Sequence, residues 1–276
     1  MKLNNTIKSI AIGSFDGIHL AHQKLIEKVD ALVIIERNGG YLTPGYKRSL
    51  YTSKACHFYH LDKLKALSPE DFVAKLNLDF PKLERVVVGY DFLFGKEKAG
   101  NAQVLESLFH KEVEIIDEVK TEGISIHSRT IKSYLREGNI AMVNTLLGRT
   151  YSIDGMVVQG QGLGKKELVP TINLKVEAYQ LPKEGVYVTA TKIGDIWYDS
   201  VSFLGHRVTT DGSFAVETHI LDHEVEVSRE TVWITFKGFV RDNMKFSDLE
   251  GLRKQIAVDI AYAKNYANND NVHTVS

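Results

Sequence analysis

Two histidines follow a glycine-containing turn near the start of the chain. The turn GSFDG occupies residues 13–17, and His19 and His22 come at the start of a predicted helix. Backbone N–H groups at such a turn bind phosphate, and the spacing places both imidazoles on one helix face. Both can therefore donate to phosphate oxygens as charge builds during transfer. The pattern indicates nucleotidyl transfer from ATP, although such a pair alone more often decorates a surface or belongs to a partial metal site.

A second group of residues in the other half of the chain is suited to phosphate and magnesium. Glycines at alternate positions follow a predicted strand: Gly160, Gly162 and Gly164. They lead into Pro170, Thr171 and Asn173, where a hydroxyl and an amide oxygen provide hard ligands for Mg²⁺. A glycine-rich hairpin by itself is more often a simple turn, so the combination carries the prediction.

Glu217 is the candidate general base. It lies on a predicted strand, where Ala215, His219 and Leu221 face the same way. We expect its carboxylate to point to the interior of a barrel or to its rim, where burial would raise its pKa and favour proton removal. A glutamate on a strand is usually solvated or salt-bridged, so the residue alone does not establish this role.

The first half of the chain alternates buried strands with helices. Predicted strands cover residues 7–12, 31–35, 85–89 and 113–116, and predicted helices cover 21–30, 128–137 and 139–147. A further helix begins at Ser68, which caps it, with Pro69 in the first turn. The alternation favours a parallel α/β sheet, and Gly148 marks a boundary that divides the chain into domains 1–149 and 150–276.

The second half has the period-two pattern of antiparallel strands. These are predicted at residues 152–158, 185–193, 196–204, 213–221 and 230–237. An antiparallel barrel accounts for them most simply. Ser247 is predicted to cap a closing helix, which covers the barrel with an apolar stripe of Leu249, Leu252, Ile256 and Ile260.

Composition limits the class of protein. The 276 residues suit two domains, and 34 basic against 35 acidic residues give a formal net charge of -1. This balance argues against general binding of nucleic acid or an anionic membrane. The polar N-terminus and the absence of a long apolar run predict a soluble cytoplasmic protein. The sequence predicts no particular oligomeric state.

Three segments of the first half resemble the HxGH nucleotidyltransferase superfamily and its FAD synthetase branch. They are GSFDGIHLAHQ at 13–23, VVVGYDFLFG at 86–95 followed by Gly100-Asn101, and IHSRTIK at 126–132, which falls where the family has ISSTxIR. The resemblance implies that His19 and His22 are catalytic. It implies ATP binding by Gly13, Phe15, Asp16, Gly17, Ser128 and Lys132, and flavin binding by Asp91, Phe92 and Asn101.

The second half resembles riboflavin kinases. The segment PTIN at 170–173 is similar to their PTAN motif, LPKEGVY at 181–187 to LPxDGVY, and VETHILD at 216–222 to VExHxLD. This resemblance implies ATP binding by Gly160, Gly162, Gly164 and Pro170, Mg²⁺ ligation by Thr171 and Asn173, and Glu217 as the base. Val240-Arg241 and Lys245-Phe246 resemble an LR…KF segment, which implies a loop in which Arg241 contacts flavin.

As a whole the chain resembles the bifunctional bacterial riboflavin kinase and FMN adenylyltransferase family. The resemblance implies a parallel-sheet HxGH-type nucleotidyltransferase domain followed by an antiparallel β-barrel kinase domain with a closing helix. Its ligands would be riboflavin, FMN, ATP and Mg²⁺. The implied reactions are phosphorylation of riboflavin to FMN and adenylylation of FMN to FAD, with release of pyrophosphate.

The chain also departs from the family pattern. In the first domain Ser14 stands where the family has Asn, Ala21 where it has Gly and Leu93 where it has Arg, and the segment 35–39 lacks the family's Pro-His-Pro. In the second domain Leu163 stands where the family has Arg and Val169 where it has Phe, and the segment 203–207 lacks the Asn that the family has at its first position. Two alternatives therefore stay open. One is a riboflavin kinase with a non-catalytic first domain, and the other is a flavin-binding sensor without turnover.

Overall fold

The computed structural model describes residues 6–37, 39–159, 169–209 and 212–273, with side chains up to residue 267. Contacts between Cα atoms divide the chain into two compact units, Met1–Thr130 and Ile131–Ser276. The division falls within a helix, and the domain boundary at 149/150 stays a prediction.

The first unit contains a parallel sheet of five strands in the order β3-β2-β1-β4-β7 among its described residues. The strands are β1 (Ser9–Gly13), β2 (Ala31–Glu36), β3 (Ala55–His60), β4 (Arg85–Gly89), β5 (Leu93–Phe94), β6 (Gly100–Asn101), β7 (Glu112–Ile116), β8 (Lys120–Thr121) and β9 (Ile124–Ser125). The helices are α1 (Leu20–Ile26), α2 (Leu61–Leu64), α3 (Pro69–Asp79) and α4 (Ala102–Phe109), and 3₁₀ turns cover Gly45–Tyr51 and Lys96–Lys98. Helix α5 (Ser128–Glu137) is the one within which the division falls.

The predicted parallel sheet is confirmed, with one strand more than the sequence indicated. The middle residues of β1, β2 and β4 are fully buried between two apolar clusters, as expected for a parallel sheet covered on both faces. The additional strand is β3, ACHFYH, which lies at the edge and is only half-buried. Its mixture of polar and aromatic residues carries no clear alternation.

The strand order predicts a ligand crevice at the carboxyl ends of β1 and β4. From β1 the chain proceeds outward to β2 and β3, and then returns to β4 on the other side of β1. In open α/β sheets ligands bind outside the carboxyl ends of the strands where the order reverses in this way. The turn at 13–17 follows β1 and Tyr90-Asp91 follows β4, so both predicted motifs lie at this crevice.

The second unit contains a closed antiparallel barrel, as predicted. Its strands run in the order β10-β11-β14-β13-β12-β15. The elements are helix α6 (Ile140–Leu147), β10 (Tyr151–Val158), β11 (Ile172–Lys175), β12 (Gly185–Ile193), β13 (Ile196–His206), β14 (Phe214–Ile220), β15 (Thr231–Asp242) and the closing helix Leu249–His273. The sequence did not predict β11, a strand of four residues that pairs with both β10 and β14 and so closes the barrel.

A ring of hydroxyl groups fills part of the barrel interior. Five fully buried residues form it, and each hydroxyl contacts two others at 2.7–3.0 Å: Thr189, Ser200, Thr191, Thr218 and Ser202. The alternate residues Val186, Val188 and Val201 face outward, where they pack against Ala263 of the closing helix. Thr218 therefore takes the interior position on β14, and its neighbour Glu217 lies on the outer face. Of the two directions predicted for Glu217, the barrel interior is wrong, and the rim stays a prediction.

Helix caps account for several element boundaries. Ser68 accepts a hydrogen bond from the Asp71 N–H at 3.1 Å, which confirms the predicted start of α3. The predicted cap of the closing helix is wrong by one residue, because Asp248 Oδ1, not the Ser247 hydroxyl, accepts from the Gly251 N–H at 2.8 Å. In the described part of the chain, no helix combines the length and apolar character needed to cross a membrane.

Candidate functional sites

The turn after β1 holds three residues in left-handed backbone conformations. Phe15, Gly17 and Ile18 have φ values of 48°, 90° and 42°. Such values are unfavourable for residues with a side chain, and Ile is β-branched. Both apolar side chains are completely buried in the core, which keeps the turn in this shape. The turn is thus rigid where the sequence predicts contact with the ATP phosphates.

His19 and His22 are stacked on each other at the start of α1. Their ring centroids are 3.6 Å apart with an interplanar angle of 13°. His19 caps the helix, since its Nδ1 accepts a hydrogen bond from the His22 N–H at 3.3 Å. This contact leaves Nε2–H as the group through which His19 can donate to a ligand. The predicted juxtaposition of the two imidazoles is present.

His22 is held in its neutral form. Burial, followed by the nearby His19, Arg48 and His127, keeps the pKa of His22 well below its ordinary value. Its Nδ1 is buried without a hydrogen-bond partner among the described residues. A neutral imidazole in this position can donate to an incoming phosphate, whose negative charge would raise the pKa again.

Asp16 fastens a neighbouring loop to the turn. Its buried Oδ1 accepts hydrogen bonds from the backbone N–H groups of Leu42 and Thr43 at 2.8 and 3.1 Å. The Ser128 hydroxyl donates to the Asp16 carbonyl at 2.8 Å. The structure thus brings together two predicted ATP-binding residues from distant segments. Lys132, one turn after Ser128 on α5, is half-buried, and its role stays a prediction.

The predicted flavin-binding residues of the first unit have structural roles that the sequence did not indicate. Asn101 caps α4 by accepting from the Val104 N–H at 2.9 Å, and Phe92 stacks on Phe94 with centroids 5.5 Å apart. The exposed Asp91 carboxylate is 3.7 Å from His127 Nδ1. Their contact with flavin stays a prediction.

The second site forms where β11 lies beside β14. Asn173 and Glu217 are direct partners across these strands, and both face outward because their neighbours Ile172 and Thr218 pair in the alternate register. Arg207 joins them: Nε donates to Glu217 Oε1 at 2.7 Å and Nη2 donates to Asn173 Oδ1 at 2.7 Å. The predicted metal ligand and the predicted base thus share one guanidinium partner.

The position of Arg207 follows from the hairpin between β13 and β14. Its N–H donates to the Ser213 carbonyl at 2.9 Å, and its Nη1 donates to the Ser213 hydroxyl at 2.8 Å. Gly205 precedes it with φ of 144°, where an added Cβ would lie 2.7 Å from a Glu184 carboxylate oxygen. That carboxylate accepts from both the backbone and the ring of His206. The sequence did not identify Arg207, since only the fold brings it to the site.

His219 fixes the segment that contains the predicted metal ligands. Its Nδ1 donates to the Pro170 carbonyl at 2.8 Å, which links the two kinase-like motifs directly. Thr171 follows Pro170 immediately before β11, and its side chain is half-buried. The predicted residues Gly160, Gly162 and Gly164 lie outside the described residues.

The structure corrects the placement of Arg241. This residue lies on β15, not in a loop. Its guanidinium forms a forked ion pair with buried Asp259 of the closing helix, with Nε 2.9 Å from Oδ1 and Nη2 2.7 Å from Oδ2. These contacts tie the closing helix to the barrel, and the predicted flavin contact stays a prediction.

The donor set at β11 fits a hard cation. The described residues contain no cluster of three or more His, Cys, Asp or Glu side chains suited to a metal. Thr171 and Asn173 offer neutral oxygens instead, and such sites are completed by phosphate oxygens of the nucleotide. Asn173 Oδ1 already accepts from a cationic group, the Arg207 guanidinium.

Comparisons with known proteins match both halves of the chain. A family model described as riboflavin kinase matches residues 147–267, and one described as FAD synthetase matches residues 53–130. Several curated relatives are named bifunctional riboflavin kinase/FMN adenylyltransferase. The one from Listeria monocytogenes is 28% identical, and the match covers 91% of this chain and 90% of the relative. The one from Pseudomonas fluorescens is 26% identical, and the match covers 92% of this chain and 91% of the relative. The relative from Escherichia coli K12 is 25% identical, and the match covers 93% of this chain and 92% of the relative.

A solved structure has the same fold along nearly the whole chain. It comes from Streptococcus pneumoniae and is described as a macrolide-efflux protein. Its TM-score with this chain is 0.83 at 25% sequence identity, and the match covers 95% of this chain and 96% of the other.

Proposed function

We infer the reactions of this chain from its family, because it belongs to the bifunctional riboflavin kinases/FMN adenylyltransferases. It phosphorylates riboflavin to FMN with ATP, and it adenylylates FMN to FAD with release of pyrophosphate. Matches to both halves favour two activities over a kinase with an inactive first domain or a sensor without turnover.

The observation that supports the kinase site best is the pairing of Asn173 with Glu217. We assign Glu217 as the general base, which removes the proton of the terminal ribityl hydroxyl while its oxygen attacks the γ-phosphorus of ATP. The bond from that phosphorus to the bridging oxygen breaks, and ADP leaves. Mg²⁺ held by Thr171 and Asn173 would neutralise charge on the phosphate oxygens.

Arg207 must change partners during this reaction. In the structure it engages Oε1 of Glu217 and Oδ1 of Asn173, the atoms needed for the hydroxyl and for the metal. When substrates bind, Glu217 exchanges the guanidinium contact for the ribityl hydroxyl. We therefore expect Arg207 to keep the two side chains oriented until the substrates arrive.

In the first unit we assign the ATP triphosphate to the turn at 13–17. The FMN phosphate attacks the α-phosphorus, and pyrophosphate leaves with its bonding electrons. His19, through Nε2–H, and neutral His22 donate to phosphate oxygens whose charge increases in the transition state. Ser128, whose hydroxyl donates to the Asp16 carbonyl of the turn, assists in binding the triphosphate, and the part predicted for Lys132 stays a prediction.

Chromatography of the products tests this assignment. The protein is incubated with ATP, Mg²⁺ and either riboflavin or FMN, and FMN, FAD and pyrophosphate are quantified. We expect FMN and then FAD from riboflavin, and FAD with an equal amount of pyrophosphate from FMN. Formation of FMN without FAD would support an inactive first domain, and binding without any product would support the sensor.

A further inference from the structure

Arg48 is a buried arginine that no sequence motif indicates. It lies on the 3₁₀ turn Gly45–Tyr51 and is 0% exposed. Its Nη1 donates to Glu36 Oε1 at 3.1 Å, and its guanidinium carbon lies 4.8 Å from the centre of the Tyr41 ring. The ion pair and the aromatic face fix the guanidinium in one orientation.

The opposite edge of this guanidinium has no acceptor among the residues that the structure describes. Arg48 Nε and Nη2 are both buried and make no hydrogen bond to any residue that the structure describes. These two nitrogens form the side edge of the guanidinium, whose parallel N–H groups match two oxygens of one phosphate or carboxylate. Buried donors without partners are rare and cost free energy, so this edge calls for a ligand.

Arg48 lies near the turn that we assign to the ATP phosphates. The Arg48 charge is one of those that lower the pKa of His22. Asp16 of the phosphate-binding turn holds the backbone of Leu42 and Thr43, shortly before the 3₁₀ turn. Leu93, at the position where the family has arginine, is half exposed and offers no charge.

We propose that Arg48 is a phosphate-binding residue of the FMN adenylyltransferase site and that its Nε–Nη2 edge donates to two oxygens of one phosphate. The proposal rests on the adenylylation of FMN stated above. Two sources supply the same chemistry, the triphosphate of ATP and the phosphate of FMN. In both cases Glu36 partly neutralises the arginine and holds it in place.

Substitutions on the two sides of the ion pair should have opposite effects. Arg48→Lys keeps the charge but loses the two-pronged edge, so FAD formation from FMN should fall about 10- to 100-fold, the loss expected for a charge-assisted hydrogen bond. Glu36→Gln keeps the shape but frees the positive charge of Arg48. Either pyrophosphate, used as the probe in calorimetry, should then bind severalfold more tightly, or the KM for FMN should fall severalfold. Arg37→Lys, on an exposed arginine, is the matched control.

Comparing the KM for ATP with the KM for FMN in Arg48→Lys identifies which phosphate Arg48 binds. A raised KM for ATP with weaker pyrophosphate binding would indicate the triphosphate, and a raised KM for FMN alone would indicate the flavin phosphate. Riboflavin phosphorylation in the same samples shows that the second unit is folded, and circular dichroism checks the first unit. If Arg48→Lys does not fold, the Glu36→Gln result decides. Unchanged FAD kinetics in folded Arg48→Lys, or in Glu36→Gln an unchanged affinity for pyrophosphate together with an unchanged KM for FMN, would overturn the proposal. A wild-type protein that makes no FAD would instead contradict the function itself.

Discussion

Asn173 and Glu217 lie directly opposite each other on β11 and β14, and Arg207 hydrogen-bonds to a side-chain oxygen of each. The two residues come from separate motifs and meet only because β11 joins β14 in the barrel. The pairing places the proposed metal ligand and the proposed base on one outer face, beside each other and within reach of a single guanidinium. Several consequences of this arrangement, and of the first site, can be measured.

Replacing Arg207 with alanine should destabilise the barrel. The Arg207 and Glu217 side chains are 18% and 22% exposed, so the loss leaves two partly buried oxygens without their donor. We expect the free energy of unfolding to fall by about 1–3 kcal/mol, which is typical of removing a hydrogen-bonded charge from a partly buried position. Urea denaturation measures it, with the exposed Arg229→Ala as control. Equal stability of Arg207→Ala and the control would show that the contacts contribute nothing.

Replacing Asn173 with alanine should raise the Mg²⁺ concentration that riboflavin phosphorylation requires. The substitution removes the Oδ1 that we assign to the metal and leaves Glu217 in place. Titration of Mg²⁺ at saturating ATP gives the half-maximal concentration, which should increase at least severalfold for the kinase reaction. The adenylylation of FMN in the same preparation serves as control. An unchanged titration curve would exclude Asn173 as a ligand.

The stability of the first unit should decrease in acid because of His22. The unfolded chain binds a proton at this residue near pH 6.5, whereas the folded chain binds it only well below that pH. Between the two values the unfolded state holds more protons, so stability rises as the pH increases toward about 6.5 and then levels off. His57, whose pKa is also lowered by burial, acts in the same direction.

Denaturation at several pH values separates these contributions. The slope should be at most about 1.4 kcal/mol per pH unit for each histidine that titrates. Below pH 6.5 the free energy of unfolding of His22→Gln should depend less on pH than that of the wild type. The His57→Gln variant should keep the pH dependence that comes from His22. Identical slopes in the wild type and His22→Gln would contradict the lowered pKa.

The hydroxyl ring inside the barrel should tolerate the loss of a member poorly. Thr218→Val has nearly the same shape but leaves Thr191 and Ser202 each short of one partner. A buried polar group without its partner costs about 1–3 kcal/mol, and we expect thermal or urea unfolding to show that loss. The exposed Thr231→Val is the matched control. A Thr218→Val protein as stable as wild type would show that the ring is not a source of stability.

Local patterns in the sequence predict much of the fold. Buried valine and isoleucine runs identify β1, β2 and β4, and the cap at Ser68 and the glycines after α5 and α6 identify helix ends. The short strand β11 and the edge strand β3 escape prediction because their residues carry little periodicity. Their strand conformation comes from pairing with neighbours that are distant in sequence.

The two sites are predictable only in part, because some of their contacts join segments that are distant in sequence. His19 and His22 are close in sequence, so their spacing already implies that they lie together. The contacts of Arg207 with Asn173 and of Asp16 with Leu42 join separate segments, and no local pattern contains them. The outward direction of Glu217 depends on which face of β14 lines the barrel interior, and only the pairing of the strands in the folded barrel determines this.

Product formation by Glu217→Gln from two starting substrates tests most directly whether Glu217 is the general base. Glutamine keeps the shape and can still accept from Arg207, but it cannot take a proton from the ribityl hydroxyl. With riboflavin, ATP and Mg²⁺ the variant should form FMN about 10²- to 10⁴-fold more slowly than wild type. With FMN supplied it should form FAD at the wild-type rate. Riboflavin phosphorylation at the wild-type rate would show that Glu217 is not the general base.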